Sequence, residues 1–182
     1  MTFQKLAVIG CGLMGGSFAL GLKHAGLVKS IAGFSASEKT RQRAQQLQVI
    51  DIACDSVAQA VQGADLVLLA VPVRATRQTL EAIVPAMSPN ALLMDVGSTK
   101  CDVVAAARET LGERLLCFVP AHPIAGKEVA GVEHSDADLY KDRALIVTPM
   151  ESSGATQVEL AKQIWKSLGS YITELTPAAH DA

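Results

Sequence analysis

The chain has 182 residues, of which 49% are hydrophobic and 19% charged, and its formal net charge is −2. That length suits one domain, or one domain and the start of another, and the composition is that of a folded globular protein. The near-neutral charge argues against nucleic acid or an anionic membrane as a partner, so we expect a small-molecule ligand.

Short apolar runs alternate with longer helix-like stretches along the chain. Strands are predicted at Leu6–Ile9, Lys29–Phe34, Ala64–Val71, Ala91–Val96, Leu115–Val119 and Ala144–Thr148, with a further candidate at Ser170–Thr173. Helices are predicted at Met14–Ala25, Glu38–Leu47, Thr76–Val84, Lys100–Leu111 and Thr156–Leu168, and residues 126–142 are expected to be loop and short helix. Because the strands are apolar on both faces and alternate with helices, the pattern predicts an α/β fold with a doubly wound, mostly parallel sheet covered on both faces.

Neither the cysteines nor the N-terminus indicates an exported or metal-binding protein. Cys11, Cys54, Cys101 and Cys117 form no Cys-x-x-Cys pair and accompany no histidine cluster, so we expect small packing residues in a reducing compartment and no metal site. The first apolar run, Leu6–Ile9, is too short for a signal-peptide core or a membrane span. The predicted location is the cytoplasm.

The glycine-rich segment Gly10-Cys11-Gly12-Leu13-Met14-Gly15 follows the first strand and opens the first helix. In that context it predicts a Rossmann-type dinucleotide-binding turn. Gly10 would permit the tight turn, Gly12 the approach of a pyrophosphate, and Gly15 the packing of helix on strand. The start of the helix, with Leu13 and Met14, would present free N–H groups to the phosphates. The alternative is a glycine turn without a ligand.

The residue that would meet the adenosine ribose is Ser35, at the end of the second predicted strand. An acidic residue there would bind the 2′-hydroxyl of NAD, whereas Ser35 with Arg41 and Lys39 nearby favours NADP over NAD. The alternative is that Lys39, Arg41 and Arg43 form a solvated helix face. Val71 and Pro72 lie at the end of the most apolar predicted strand and would contact the cofactor through their backbone, or would merely end the strand.

Two polar side chains follow later strands at the same predicted edge. Ser98 could present its hydroxyl between nicotinamide and substrate, or it could only cap the next helix together with Thr99. His122 lies between two prolines in what we expect to be a stiff loop. Oxidation of an alcohol needs a group that accepts the hydroxyl proton, and histidine, with a pKa of about 6.5, suits that task. Glu128 would orient His122 or contact substrate, or would be an ordinary acid at a helix start.

Three stretches together resemble the prephenate/arogenate dehydrogenase family of tyrosine biosynthesis, and the likeness covers nearly the whole chain. They are residues 10–17, 95–100 and 122–128, and the His-Pro-Ile-Ala-Gly segment after an Asp-x-Gly-Ser turn is the most specific. His180 and Asp181 are similar to the family's entry into its helical dimerisation domain. The resemblance implies an NAD(P)-binding Rossmann domain at 1–174, the start of a largely absent helical domain at 175–182, and a homodimer at full length.

The resemblance also implies a reaction. Prephenate or arogenate would lose hydride to the nicotinamide and then carbon dioxide, giving 4-hydroxyphenylpyruvate or tyrosine. His122 would match the histidine that polarises the substrate hydroxyl, and Ser98 the serine that contacts the same region. Glu128, Lys127 and His180 would contact substrate. Without the helical domain, the chain is expected to bind cofactor but to turn over poorly.

Three other interpretations stay open, one of which is that the chain is an inactive remnant that binds cofactor but has no affinity for substrate. A β-hydroxyacid dehydrogenase related to 6-phosphogluconate dehydrogenase would share the opening turn, but such enzymes normally use a lysine on a downstream helix and lack the His-Pro segment. A non-catalytic dinucleotide-binding module would need a partner-binding surface. The sequence does not choose between prephenate and arogenate.

Overall fold

The computed structural model describes all 182 residues, in nine strands and seven helices. The strands are β1 Phe3–Ile9, β2 Val28–Phe34, β3 Ile52–Ala53, β4 Leu66–Leu69, β5 Leu92–Asp95, β6 Phe118–Val119, β7 Ala121–Pro123, β8 Ala144–Val147 and β9 Tyr171–Glu174. The helices are α1 Leu13–His24, α2 Glu38–Gln46, α3 Val57–Val61, α4 Thr76–Ile83, α5 Cys101–Thr110, α6 Ala155–Ser167 and α7 Pro177–Asp181. None of these helices is both long and apolar enough to cross a membrane.

Six of the strands form one parallel sheet in the order β3-β2-β1-β4-β5-β6. This is the order of a doubly wound dinucleotide-binding sheet, so the predicted fold is confirmed. The order reverses between β1 and β4, where Ala7 is paired with Ala32 on one side and with Val67 on the other. Ligands of such sheets bind beyond the carboxyl ends of the strands at this reversal.

Both faces of the six-stranded sheet are buried, because side chains alternate between two cores along each strand. On β1, Leu6 and Val8 belong to the core that includes Phe18 of α1 and Trp165 of α6. Ala7 and Ile9 belong to the opposite core, which includes side chains of α4 and α5. This two-sided burial explains why β1, β4 and β5 are apolar at successive positions rather than at alternate ones.

A second, three-stranded sheet corrects the prediction that His122 lies in a loop. Pro120 alone separates β6 from β7, which pairs antiparallel with β8, and β8 pairs parallel with β9. His122 is opposite Ile146 in this ladder. A buried backbone needs partners for its N–H and C=O groups, and the edge of β8 supplies them. The histidine is therefore held by strand pairing rather than by two prolines alone.

One further prediction was wrong in detail. Residues 115–117 belong to a 3₁₀ turn over Gly112–Cys117, and only the last two residues of the predicted strand extend the sheet. The short elements β3 and α3 were not predicted. The segment 126–142 is loop with one 3₁₀ turn, Val132–His134, as expected. It packs on α1, where the backbone N–H of Asp136 donates to the Ser17 hydroxyl over 2.9 Å.

Candidate functional site: a groove along the carboxyl edge of the sheet

The glycine turn has the geometry that a close backbone approach requires. Gly10 has φ of +103°, and a Cβ there would lie 2.2 Å from the Ala70 carbonyl oxygen. A Cβ on Gly15 would lie 2.0 Å from the Gly10 carbonyl oxygen, so α1 could not pack as closely. A Cβ on Gly12 would meet no heavy atom within 4 Å, so the turn is open on that side.

The N-terminus of α1 faces this opening without a cap from any side chain. Gly12 is its N-cap residue, and the first turn holds no acidic residue. The first N–H groups of a helix have no partners within it, and together they carry about half a positive charge. Behind the turn, the buried Tyr140 hydroxyl donates to the Met14 carbonyl over 2.6 Å and fixes the first turn of the helix. The arrangement suits a phosphate.

Cys11, within the turn, is structural. Its side chain is fully buried, and burial raises the pKa of its thiol to about 11. Because thiolates rather than thiols are nucleophilic, this cysteine is unreactive at neutral pH. Its backbone N–H donates to the Ser35 hydroxyl over 2.7 Å, which ties the end of β2 to the turn. Three of the four cysteines are buried as expected, and Cys101 is exposed.

Beside the turn lies a largely apolar cavity of about 470 Å³. Four of the residues that the sequence assigned to cofactor binding line it: Gly10, Ser35, Val71 and Pro72. Phe34, Val57 and Ala75 contribute apolar walls. The volume lies within the range of small-ligand sites, which is about 300–1,000 Å³. Its place at the ends of β1, β2 and β4 is where a doubly wound sheet receives the adenosine end of a dinucleotide.

Arg41 lies behind the wall of this cavity rather than within it. Its guanidinium donates to the Ser35 carbonyl over 2.7 Å, lies 5.6 Å from the centre of the Phe34 ring and reaches the Asp55 carboxylate at 3.5 Å. Its side chain is only 12% exposed. Lys39 and Arg43 line a separate surface pocket with Glu133. The three basic residues of α2 thus do not converge on one point.

A second pocket, of about 390 Å³, brings Ser98 and His122 together. It shares Ala70, Val71 and Pro72 with the first cavity, so that the two form a continuous groove. Met14 and Gly97 also line it. Ser98 is exposed and does not cap α5, because the N–H groups at the start of that helix donate to Asp181 instead. The helix-cap alternative for Ser98 and Thr99 is therefore wrong.

A buried ion pair below the second pocket was not anticipated from the sequence. The Lys100 ammonium pairs with the Asp95 carboxylate, and the two side chains are 0% and 4% exposed. Lys100 also donates to the Ala121 carbonyl over 2.8 Å, and Asp95 accepts from the Ala121 N–H over 3.1 Å. Both backbone groups of the residue before His122 are thus held, the N–H from the end of β5 and the carbonyl from the start of α5. The spacing of Asp95 and Lys100 gave no signal, since a lysine at a helix start is usually solvated.

His122 and His180, which are far apart in sequence, are in contact. The Nδ1 atom of His122 lies 2.8 Å from Nε2 of His180, and Nδ1 of His180 lies 2.6 Å from the Asp181 carboxylate. Burial lowers the pKa of His122, and the neighbouring His180 and Lys100 lower it further, against the opposing effect of Asp95 and Asp181. His122 is therefore neutral at neutral pH and able to accept a proton.

The remaining predicted substrate contacts lie outside the pocket of Ser98 and His122. The Lys127 ammonium pairs with Asp136 over 2.9 Å and donates to the His134 carbonyl, and Glu128 is exposed. A residue that sequence reasoning missed, Arg143, lines a further pocket of about 370 Å³ together with His122. No motif marks Arg143, because only the pairing of β7 with β8 brings it near.

Comparisons with known proteins agree with this geometry. The family described as the nucleotide-binding domain of prephenate dehydrogenase matches residues 18–174. The cyclohexadienyl dehydrogenase of Zymomonas mobilis is 34% identical over 180 residues, and the prephenate dehydrogenase of Bacillus subtilis is 35% identical over 179. The crystal structure of Aquifex aeolicus prephenate dehydrogenase with hydroxyphenyl propionate and NAD⁺ superposes with a TM-score of 0.91 at 32% identity.

The alignments include nearly all of this chain but only part of each relative. They cover 99% of the chain and 61% of the Zymomonas protein, 98% and 48% for the Bacillus protein, and 99% and 62% for the Aquifex structure. The chain thus spans about half to three fifths of the length of these relatives. With the sheet order, the glycine turn and the matched range taken together, the chain belongs to the family of prephenate dehydrogenase nucleotide-binding domains.

Proposed function

We propose that the chain is the NAD(P)-binding part of a prephenate dehydrogenase, an enzyme of tyrosine biosynthesis that oxidatively decarboxylates prephenate to 4-hydroxyphenylpyruvate and that could also accept arogenate. The observation that carries the proposal is the placement of His122. Its neutral imidazole lines the same pocket as Ser98, and that pocket continues the cavity beside the glycine turn. A proton acceptor at the far end of a dinucleotide groove is what alcohol oxidation needs.

The roles of the residues follow from their positions. The glycine turn and the N-terminus of α1, including Leu13 and Met14, would hold the pyrophosphate, and Val71 and Pro72 would support the middle of the dinucleotide. NAD(P)⁺, when bound, supplies the hydride acceptor. His122 would accept a hydrogen bond from the substrate hydroxyl and take its proton as the ring carbon is oxidised. Ser98 would orient the same hydroxyl, and loss of carbon dioxide would then aromatise the ring.

We further propose that NADP is the preferred dinucleotide. Ser35 offers a hydroxyl where NAD-specific enzymes have a carboxylate, and no acidic residue lines the cavity to repel a 2′-phosphate. Arg41 supports this preference only through its position behind Ser35, because its guanidinium is already bonded to the Ser35 carbonyl. Calorimetric titration of the chain with NADP and with NAD tests the preference, and tighter binding of NAD would overturn it.

The proposed division of the chain is a nucleotide-binding domain at 1–174 and the first turn of a helical, dimer-forming domain at 175–182. The start of α7 supports this boundary, since Thr176 accepts from the Ala179 N–H as an N-cap and Pro177 is the first helical residue. The homodimer is proposed for the whole protein. Sedimentation of the longest product of the gene as a monomer would overturn it.

Turnover is tested by following the absorbance of the reduced cofactor. The chain, and the longer product if its gene continues, would be incubated with prephenate or arogenate and with NADP or NAD. His122→Asn is expected to abolish reduction, whereas His24→Asn, at an exposed position on α1, should leave it unchanged. Reduction only with small β-hydroxyacids would favour the competing dehydrogenase class. Dinucleotide binding without turnover by the longest product would favour a non-catalytic module.

A further inference from the structure

We propose that His180 and Asp181 form a positioning pair that fixes the tautomer of His122 and receives the Nδ1 proton of His122 when its Nε2 takes a proton from substrate. The inference rests on the proposed function, because it assumes that His122 is the proton acceptor. It also gives His180 a different role from the substrate contact that the family resemblance implies. Both ring nitrogens of His180 are engaged within the protein, and its side chain is only 5% exposed.

The Asp181 carboxylate anchors the arrangement. It accepts from the backbone N–H of Lys100 at 2.9 Å and of Cys101 at 2.8 Å, so it caps the N-terminus of α5. These bonds, together with the one from His180, hold the pKa of Asp181 far below its usual range. The carboxylate is therefore ionised at any pH at which the protein would work, and an ionised carboxylate can only accept hydrogen bonds.

The tautomer of each ring follows from that one constraint. Nδ1 of His180 lies 2.6 Å from an oxygen of Asp181, so it must carry a proton. In the neutral ring, Nε2 of His180 is then unprotonated and accepts. Nδ1 of His122, 2.8 Å away, must consequently be the donor. The unprotonated nitrogen of His122 is therefore Nε2, which has no hydrogen-bond partner in the protein. Its lone pair is available to accept a proton from a ligand.

The same chain of bonds can carry charge away from the pocket. When Nε2 of His122 takes the substrate proton, the proton on Nδ1 can pass to Nε2 of His180, and His122 returns to a neutral ring protonated at Nε2. The positive charge then lies on His180, next to the Asp181 carboxylate. Without that step it would remain near the Lys100 ammonium, which disfavours a charged His122. No proton is gained or lost overall, since one leaves the substrate and one arrives at His180.

The ¹⁵N resonances of the histidine rings test the tautomers directly, without cofactor or substrate. In the labelled wild-type chain above neutral pH, we expect His122 and His180 both to be protonated at Nδ1. Protonation of His122 at Nε2 would overturn the proposal. Since the measurement requires no turnover, it decides the inference separately from the proposed function.

The decisive variant is Asp181→Asn. An asparagine can keep the cap on α5 through its oxygen while its amide group donates to Nδ1 of His180. We then expect both tautomers to invert, so that His122 becomes protonated at Nε2 and loses its accepting lone pair there. Asp102→Asn is the matched control, because Asp102 is an exposed acid in the first turn of the same helix and lacks a bond to His180.

Three outcomes decide the matter. Inversion, or loss of the tautomer preference, in Asp181→Asn but not in Asp102→Asn supports the proposal. An unchanged His122 tautomer in a folded Asp181→Asn variant overturns it. If that variant does not fold, His180→Asn serves instead. A side-chain amide can either donate to Nδ1 of His122 or accept from it, so the expected result is a mixture of tautomers, and a retained single Nδ1-protonated form would overturn the role of the pair.

Discussion

Replacement of Lys100 by methionine is expected to lower the free energy of unfolding by about 3–5 kcal/mol, the range for loss of one partner from a buried ion pair. Methionine has a similar length and no charge, so the change removes the ammonium with little loss of packing. The Asp95 carboxylate, only 4% exposed, would then be buried without its counter-charge.

The hydrogen bonds around the pair set the size of the effect. Asp95 would retain the N–H groups of Gly97, at 2.8 Å, and Ala121, at 3.1 Å, which keep the loss from reaching the full desolvation of a charge. The Ala121 carbonyl would lose its donor, and an unsatisfied buried acceptor costs about 1–3 kcal/mol by itself. Since these terms share one site they do not add, and the expected total stays within the range above.

Urea unfolding followed by tryptophan fluorescence measures this difference, because Trp165 is fully buried. Lys162→Met is the matched control. Lys162 pairs with Glu174 at 2.7 Å and with Glu159 at 3.2 Å at the surface, and loss of such pairs costs about 0–1 kcal/mol. If Lys100→Met destabilised the protein no more than Lys162→Met, the reasoning would be refuted that the buried Lys100–Asp95 pair stabilises the fold by holding the backbone of Ala121.

Three further predictions concern the groove. Gly10→Ala should abolish dinucleotide binding and lower the free energy of unfolding in urea by about 2–4 kcal/mol. The reason is that the positive φ of this residue and the overlap of a Cβ with the Ala70 carbonyl each add strain. Unchanged dinucleotide binding would contradict the assignment of the turn. Ser35→Asp should weaken NADP binding by about tenfold or more, because a carboxylate and a 2′-phosphate about 4 Å apart repel by about 1–4 kcal/mol. An unaltered ratio of NADP to NAD affinity in calorimetry would refute this expectation. Because the pKa of His122 is lowered, kcat/KM should rise with pH through a pKa below about 6.5. The stability that this histidine contributes should be complete above about pH 6.5 and should be lost as the pH falls through the lower pKa of the folded state. An NMR titration that gave a pKa of about 6.5 or higher for His122 would contradict both expectations.

The sequence predicted the elements whose signal is local. β1, β4 and β5 are continuous apolar runs because both of their faces are buried, and the glycine turn follows β1 directly. β3 and α3 were missed because two and five residues are too few to establish a period. Their positions are set by pairing with β2 and by packing, which are tertiary effects.

Contacts between distant residues account for the rest of what sequence reasoning missed. His122 and His180 are 58 residues apart, and Lys100 and Asp181 are 81 apart. No spacing rule connects such pairs, so the cap on α5 and the partner of His122 became visible only in three dimensions. The complete burial of Lys100 was unexpected for another reason. Lysine is almost never fully buried unless it is paired, and the sequence did not indicate which residues would pair with it.

The division of the groove has a consequence for how this protein could be redesigned. The cavity with Ser35 and the pocket with His122 have only the short segment from Ala70 to Pro72 in common. Substitutions at the Ser35 end therefore need not disturb the groups that would handle the substrate. A laboratory selection for a different dinucleotide could begin at one end of the groove while the chemistry at the other end is left intact.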